Sequence, residues 1–134
     1  MARAASVRAT TIDGLTLIER RPYADDRGAL DRLFDDDEIG RLLPGFRTSQ
    51  VNHSVTRRRG TVRGMHYQTP PNADAKVITC LRGRVFDVAV DVRHGSETFL
   101  RWHAEVLEPG KYRSFVIPEG FAHGFQALTD ECEL

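Results

Sequence analysis

The most regular pattern in the chain is Val-Phe-Asp-Val-Ala-Val-Asp-Val-Arg, at residues 85–93. The even-numbered positions from Phe86 to Val92 are apolar, whereas three of the four odd-numbered positions from Asp87 to Arg93 are charged. An alternation with a period of two residues is typical of a β-strand with one apolar face. The stretch therefore predicts a strand whose apolar face is formed by the even-numbered residues.

The segments around this strand are also short and extended in character. Further strand candidates are residues 48–55, 61–68, 112–118 and 121–128, with glycine and proline at the joints between them. Only residues 35–43 have a helical pattern, with acidic residues in the first turn and Pro44 as the terminator. Short strands with almost no helix favour an all-β sandwich or barrel. We predict a single cupin-like jelly-roll domain over residues 1–134.

Composition narrows the class of protein. The chain has 134 residues, enough for one domain, and its 19 basic side chains balance 19 acidic ones, so no overall field attracts nucleic acid or a membrane surface. The N-terminus lacks the apolar run of a signal peptide, and no segment could span a bilayer. We expect a cytoplasmic protein. Cys80 and Cys132 have no spacing typical of zinc or redox sites, and structural thiols are expected.

Two histidines occupy strand positions from which they could point into one barrel cavity. His66 shares its strand face with Val62 and Gly64, and His123 shares one with Phe121. Cupin-type metal sites use a pair of histidines in H-x-H spacing, but glycine stands two positions before His66. The other histidines lie in unrelated segments. A metal-dependent dioxygenase or isomerase is therefore the disfavoured alternative, and we expect neither metal nor cofactor.

Without a metal or cofactor motif, the remaining chemistry is proton transfer beside a carbonyl group. His66 could act as the base, because an ordinary imidazole titrates near neutral pH. Lys76 could stabilise the enolate oxygen from the start of the apolar strand 77–81. The spacing alone fits a hydrogen-bonded core histidine and a solvated lysine equally well. Arg63 lies on the opposite parity from His66 unless Gly64 introduces a bulge.

Five segments taken together resemble one known family. They are Asp-Arg-Gly at 26–28, Gln-Val-Asn-His-Ser at 50–54, Arg-Gly-Met-His-Tyr-Gln at 63–68, the strand at 85–93, and Ile-Pro-Glu-Gly-Phe-Ala-His-Gly-Phe at 117–125. The last three are highly specific, and all five stand in the family's order and spacing. From about Gly14 to its end, the chain resembles the dTDP-4-dehydrorhamnose 3,5-epimerase family.

The resemblance implies a jelly-roll homodimer, without metal or cofactor, acting as an isomerase in deoxysugar biosynthesis of the L-rhamnose type. Its substrate would be a dTDP-linked 4-keto-6-deoxy sugar. At matching positions, His66 resembles the family's catalytic base and Lys76 the lysine that stabilises the enolate. The substrate contacts implied by the resemblance are Arg27 (from the neighbouring subunit), Gln50, Asn52, Arg63 and His123. Asp91 resembles a partner of an active-site group, and Asp87 is expected to lie elsewhere.

The chain departs from the family pattern at two places. After Asp-Arg-Gly, residues 29–33 are Ala-Leu-Asp-Arg-Leu, without the family's two large residues followed by an acidic one, so the resemblance leaves base or nucleotide recognition open. The sequence stops at Leu134, before the family's tyrosine acid and the aspartate that pairs with the base. A weak or inactive epimerase is therefore expected. The alternatives are a nucleotide-sugar-binding barrel without turnover, and a relative that epimerises one carbon or isomerises the ketone.

Overall fold

The computed structural model describes residues 5–134. Its one α-helix, α1, spans Asp36–Leu42. The strands are β1 Ala5–Ala9, β2 Thr16–Arg20, β3 Tyr23–Asp25, β4 Gly28–Leu30, β5 Val55–Thr56, β6 Val62–His66, β7 Lys76–Thr79, β8 Val85–Asp91, β9 Trp102–Leu107, β10 Arg113–Ile117, β11 Phe121–Ala127 and β12 Cys132–Glu133.

Two four-stranded antiparallel sheets face each other. Sheet I has the order β1-β2-β10-β7, and sheet II has the order β6-β11-β8-β9. Between them lies an apolar core that draws Leu17, Phe115 and Ile117 from sheet I and Val85 and Phe125 from sheet II. Two short pairs, β3-β4 and β5-β12, lie outside these sheets. The prediction of an all-β, cupin-like jelly roll is confirmed.

The helix α1 covers the outer face of sheet I. Its N-cap is Asp35, whose carboxylate accepts a hydrogen bond from the backbone N–H of Glu38 at 3.0 Å, as expected for a capping aspartate. Ile39 is its buried residue and packs with Ile18 and Val116. The predicted helix at 35–43 is therefore confirmed. Across residues 5–134, no helix is long and apolar enough to cross a membrane.

The strand predicted at residues 85–93 is confirmed as β8, and its apolar even-numbered residues lie on the more exposed side. The odd-numbered residues, including Asp87 and Asp91, are buried, whereas Phe86 is 38% exposed. The strand lies in the middle of sheet II between β11 and β9. Its carboxylates are tolerated inside because each has a basic or hydroxyl partner there. Phe86, Val88 and Val90 of β8 form part of the outer face of sheet II.

The strand predicted at residues 48–55 is much shorter in the structure. Residues 48–55 were expected to form a strand, but only Val55–Thr56 pairs, with β12. Residues 47–53 are exposed, and the backbone of Ser54 exchanges hydrogen bonds with Leu134. Alternating polar and apolar residues do not by themselves supply a neighbouring strand.

Candidate active site

The two residues predicted to carry the chemistry lie on edge strands of different sheets. His66 ends β6, the edge strand of sheet II, and Lys76 begins β7, the edge strand of sheet I. Lys76 is directly opposite Ile117 on β10, a core residue that is 1% exposed. Because directly opposed residues on paired strands share a face, Lys76 faces the space between the two sheets.

A β-bulge brings Arg63 and His66 onto one face. His66 is opposite His123 and Arg63 is opposite Phe125, so two residues of β6 separate positions that one residue separates on β11. The extra residue lies at Gly64–Met65. His123 and Phe125 are buried on the inner face of sheet II, so Arg63 and His66 also face inward. The bulge that would place Arg63 and His66 on one face is therefore present at Gly64.

Gly64 is required where the two strands approach most closely. Its φ is +114°, and a Cβ atom there would lie 2.7 Å from the Cα of Gly124 and 2.8 Å from the carbonyl oxygen of His123. Side chains other than glycine rarely adopt this backbone conformation, and backbone atoms cannot yield as a flexible side chain would. The bulge therefore depends on glycine at position 64.

Replacing Gly64 with alanine is expected to lower the free energy of unfolding by about 2 to 4 kcal/mol, because strain and overpacking add. Gly60→Ala is the matched control: its φ is +86°, but a Cβ atom there meets nothing within 4 Å. The control substitution should lower the free energy of unfolding by only about 1 kcal/mol. Urea denaturation of both variants makes the comparison. Equal losses would show that crowding at the bulge is unimportant.

His123 has a buried partner that the sequence did not indicate. Its Nε2 lies 2.8 Å from Oδ1 of Asp87, and Asp87 is fully buried. Asp87 was expected to lie away from the site, and this expectation was wrong. The two residues share the inner face because Asp87 is opposite Phe125 while His123 is opposite Ala89, which places them on a cross-strand diagonal.

The second buried carboxylate of β8, that of Asp91, is bound by residues of the turn that follows the strand. Its buried carboxylate accepts hydrogen bonds from Ser96 and Thr98 and from the backbone N–H, Nε and Nη2 of Arg93. These partners occupy both oxygens and tie together the turn after β8. The guanidinium carbon of Arg93 also lies 4.8 Å from the centre of the Phe121 ring. Asp91 therefore holds this turn, and its expected contact with a substrate or an active-site group stays a prediction.

Substituting Asp91 with asparagine should destabilise the fold in a pH-dependent way. Burial alone would raise the pKa of Asp91, but the hydrogen bonds from Arg93, Ser96 and Thr98 lower it below the ordinary value. A lowered pKa means that the stabilisation is complete above the unfolded value of about 4 and is lost as pH falls toward the folded pKa. We expect Asp91→Asn to lower the free energy of unfolding by about 2 kcal/mol at pH 7. The difference in unfolding free energy between this variant and wild type should shrink below pH 4. A constant difference across urea titrations from pH 7 to 3 would contradict this.

The guanidinium of Arg63 is held in place by β5. Its Nε donates to the hydroxyl of Thr56 at 2.9 Å, and its Nη2 donates to the carbonyl oxygen of Val55 at 3.1 Å. Thr56 is 2% exposed, so this anchor is itself fixed. One edge of the guanidinium is thus used for support. The remaining N–H groups of Arg63 can bind an anionic oxygen.

The site is open to solvent. His66 and all residues from 61 to 72 are exposed, because β6 is an edge strand with no further strand beside it in the described part of the chain. The expectation of an enclosed cavity holding His66 was therefore wrong. Lys76 has a side chain that is 23% exposed, and its Nζ lies 2.8 Å from Oδ2 of Asp74. The ammonium of Lys76 is therefore shared between this carboxylate and any bound ligand.

The remaining predicted contacts are not joined to this group. Gln50 and Asn52 are exposed in the segment before β5, and within residues 5–134 no hydrogen bond links them to His66 or Lys76. Arg27 lies at the turn of the β3-β4 hairpin, where its Nη2 pairs with Oδ2 of Asp25 at 2.6 Å and its side chain is 90% exposed. Their roles in ligand binding stay predictions.

Chemically, the arrangement offers bases and cations on facing walls. Sheet II supplies two imidazoles and a guanidinium, and sheet I supplies one ammonium. Such a set can remove a proton from carbon and stabilise negative charge on oxygen. Among residues 5–134, no three or more His, Cys, Asp or Glu side chains are grouped to hold a metal ion.

Comparisons with known proteins find relatives that match most of the chain. A family model described as dTDP-4-dehydrorhamnose 3,5-epimerase matches residues 9–134. The enzyme of that name from Streptomyces griseus is 41% identical over 128 residues, which are 93% of this chain and 62% of the relative. The Methanothermobacter thermautotrophicus enzyme is 41% identical over 92% of this chain and 65% of its own length. The chain spans less than two thirds of the length of these two relatives.

Solved structures give the same result. The epimerase RmlC from Legionella pneumophila, in complex with dTDP-4-keto-L-rhamnose, superposes with a TM-score of 0.90 at 39% identity, covering 96% of this chain and 68% of that one. The epimerase from Sulfolobus tokodaii gives 0.88 at 36% identity, covering 97% and 72%. With the family model matched over residues 9–134, the chain belongs to the dTDP-4-dehydrorhamnose 3,5-epimerase family.

Proposed function

We propose that this protein epimerises a dTDP-linked 4-keto-6-deoxy sugar by removing a proton from carbon beside the C4 ketone. The observation that carries the proposal is the register of the edge strands. His66 on β6 and Lys76 on β7 face the same inter-sheet space from opposite walls. A sugar ring between them would meet a base on one side and an ammonium on the other.

Each role follows from the chemistry of the side chain. His66 removes the proton, because an imidazole ring can accept a proton at neutral pH. Lys76 stabilises the enolate, since a positive charge is most effective where negative charge develops. Arg63 binds a diphosphate oxygen with the guanidinium edge that Thr56 leaves free. The products would serve deoxysugar biosynthesis of the L-rhamnose type.

The experiment that tests this function is deuterium incorporation. The protein is incubated in D₂O with dTDP-4-keto-6-deoxyglucose, and deuterium at C3 and C5 is measured by NMR against a protein-free blank. We expect incorporation above the blank at one or both carbons. Incorporation at both supports a 3,5-epimerase, and incorporation at one supports a single-site enzyme. Substrate recovered without deuterium would refute the epimerase proposal.

A second candidate is a nucleotide-sugar-binding protein without turnover. It is favoured by the exposure of His66 and by the ion pair between Lys76 and Asp74, both of which would weaken catalysis. Its signature is thermal stabilisation by dTDP, which follows from ligand binding to the folded state alone, together with no deuterium incorporation. Stabilisation with incorporation favours the enzyme.

We also propose that the protein is a cytoplasmic homodimer. Apolar side chains remain exposed on the outer face of sheet II, among them Val62 at 64% and Trp102 at 61%, and a second copy could cover them. Both cysteines are buried free thiols, which suits a reducing compartment. Light scattering after size-exclusion chromatography tests the dimer. A mass near the 15.1 kDa of one chain at micromolar concentration would contradict it.

A further inference from the structure

The basic and acidic residues of the chain are unevenly distributed. Residues 39–73 form the longest stretch without an aspartate or glutamate, and they contain six arginines. Because the 19 basic and 19 acidic side chains of the whole chain cancel, this positive charge is a local feature. Three of the six arginines are consecutive, and with Gly60 they form residues 57–60 between β5 and β6, which we call the basic turn.

The backbone of the basic turn is fixed against the segment that follows β11. The carbonyl oxygen of Arg57 accepts a hydrogen bond from the N–H of Glu131 at 3.0 Å. The N–H of Arg59 donates to Oδ1 of Asp130 at 2.7 Å. The turn is therefore held in one position relative to sheet II, and its arginines extend from a defined place.

The side chains of the basic turn, in contrast, have no partners. All three arginines are exposed, and none of their guanidinium groups has a hydrogen bond or ion pair with the part of the chain from residue 5 to 134. Two more exposed arginines lie beside them, because backbone hydrogen bonds join the segments 54–60, 82–84 and 128–134. The charged residues of these segments are five basic ones, Arg57, Arg58, Arg59, Arg82 and Arg84, and three acidic ones, Asp130, Glu131 and Glu133. This end of the sandwich is therefore positive on balance.

The basic turn leads directly into the proposed site along β6. Arg63 follows Arg59 by four residues and His66 follows it by seven, so their Cα atoms lie within about 14 Å and about 25 Å of that of Arg59. The strand β6 is at the edge of sheet II, and no other strand of the described residues covers its free side. Charge on the turn can therefore act on an anion that approaches Arg63 through solvent.

The arginines of the turn and Arg63 differ in how they are supported. The guanidinium of Arg63 is held by the hydroxyl of Thr56 and the carbonyl oxygen of Val55, which suits a fixed contact with a phosphate oxygen. The guanidinium groups of the turn have no such support. Attraction over a distance requires only charge of the right sign, whereas a directed hydrogen bond requires a well-placed donor. The unsupported groups thus suit the approach of an anion rather than its final binding.

We propose that the basic turn is a capture surface for the diphosphate of the nucleotide sugar. Its arginines raise the rate at which this anion reaches Arg63, and they do not contact it in the bound state. The inference rests on the proposed function, because that function requires a ligand with a diphosphate. Clustered charges beside a cleft can raise association rates by about 10- to 1,000-fold, and the effect falls steeply with ionic strength.

The test is the association rate of dTDP, measured by stopped-flow fluorescence with an N-methylanthraniloyl derivative. The turn variant combines Arg57→Gln, Arg58→Gln and Arg59→Gln, which keeps polar side chains and removes three charges. At an ionic strength of about 10 mM, where charges act over about 30 Å, we expect this variant to associate about tenfold more slowly than wild type. At about 1 M, where that length is about 3 Å, the two association rates should agree. The dissociation rate should equal that of wild type at both ionic strengths.

The matched control combines Arg21→Gln, Arg41→Gln and Arg101→Gln. These exposed residues lie after β2, on α1 and before β9, away from β6, and their loss changes the net charge by the same amount. We expect the control to change the association rate by less than about twofold. Equal slowing in both triple variants would overturn the proposal, because net charge would then be the cause. Faster dissociation from the turn variant, with an unchanged association rate, would also overturn it, because the arginines would then contact the bound ligand.

A steady-state measurement separates capture from catalysis. In the turn variant, kcat for deuterium incorporation into the keto sugar should equal that of wild type, whereas kcat/KM should fall by about tenfold at low salt. A lowered kcat with unchanged kcat/KM would contradict the proposal. Wild-type protein that binds no dTDP at either ionic strength would refute the proposed function itself. Wild-type protein that associates with dTDP equally fast at both would refute the capture surface alone.

Discussion

Replacing His66 with asparagine is expected to lower the rate of deuterium incorporation into the keto sugar by about 10²- to 10⁴-fold. Asparagine keeps a polar group of similar reach, but it cannot accept a proton from carbon. His66 is exposed and makes no hydrogen bond among the described residues, so its loss should leave the fold intact. The rate is measured by NMR in D₂O at saturating substrate.

The control for this variant is His94→Asn. His94 is likewise exposed and lies in the turn after β8, away from β6, so its substitution should leave the rate unchanged. Affinity for dTDP, measured by calorimetry, should change little in either variant. Unaltered incorporation in His66→Asn, with folding verified by circular dichroism, would show that another group is the base.

Replacing Lys76 with methionine should reduce the same rate by about 10²- to 10³-fold, which is typical for loss of one group that stabilises a developing oxyanion. Methionine keeps the unbranched stem but removes the charge. Lys76→Arg should retain part of the activity, because it keeps the charge but not the compact shape of the ammonium. The measurement is again deuterium incorporation at C3 and C5.

Asp74→Asn separates the two roles that Lys76 could have. It removes the carboxylate that lies 2.8 Å from the ammonium without touching the ammonium itself. If Lys76 acts on the substrate, Asp74→Asn should keep the wild-type rate or exceed it, since the cation is released. If Lys76 serves only to hold Asp74, the two variants should lose activity equally, and the proposed role of Lys76 would be wrong.

The fold was predictable because its signals are local. Strand periodicity, turn residues and the capped helix at Asp35 are set by neighbours in sequence. The bulge was also foreseeable, since Gly64 stands between two residues that could share a face only through an irregularity. Its structural cause, the close approach of Gly64 to Gly124, depends on pairing with β11 and could not be derived from β6 alone.

The orientation of the two aspartates of β8 could not be derived from the sequence, for a physical reason. Alternation shows that the strand has two faces, but it does not say which face lies inside. The structure turns Asp87 and Asp91 inward, and it leaves Phe86 38% exposed. What decides the orientation is the partners that the carboxylates meet, His123 on β11 and Arg93 in the following turn. His123 is distant from β8 in sequence, so the periodicity of β8 cannot reveal this partner.

The solvent exposure of the site likewise could not be predicted from the sequence. Strand parity placed His66 inside a barrel, but the depth of a side chain depends on whether its strand is central or at an edge. Here β6 is at the edge of sheet II, and His66 faces inward from an open margin. Parity also put His66 and Val62 on one face, whereas the bulge leaves His66 opposite the buried His123 and Val62 opposite the exposed Gln126. Parity therefore predicted both the shared face and the burial incorrectly.

The most direct test of the central claim is a crystal structure of this protein with dTDP-4-keto-6-deoxyglucose. The claim is that His66 and Lys76 converge on one sugar from facing edge strands. It predicts an imidazole nitrogen of His66 within about 3.5 Å of C3 or C5, and the ammonium of Lys76 within about 3 Å of the ketone oxygen. A sugar ring bound outside the space between β6 and β7, with its ketone out of reach of Lys76, would contradict the account.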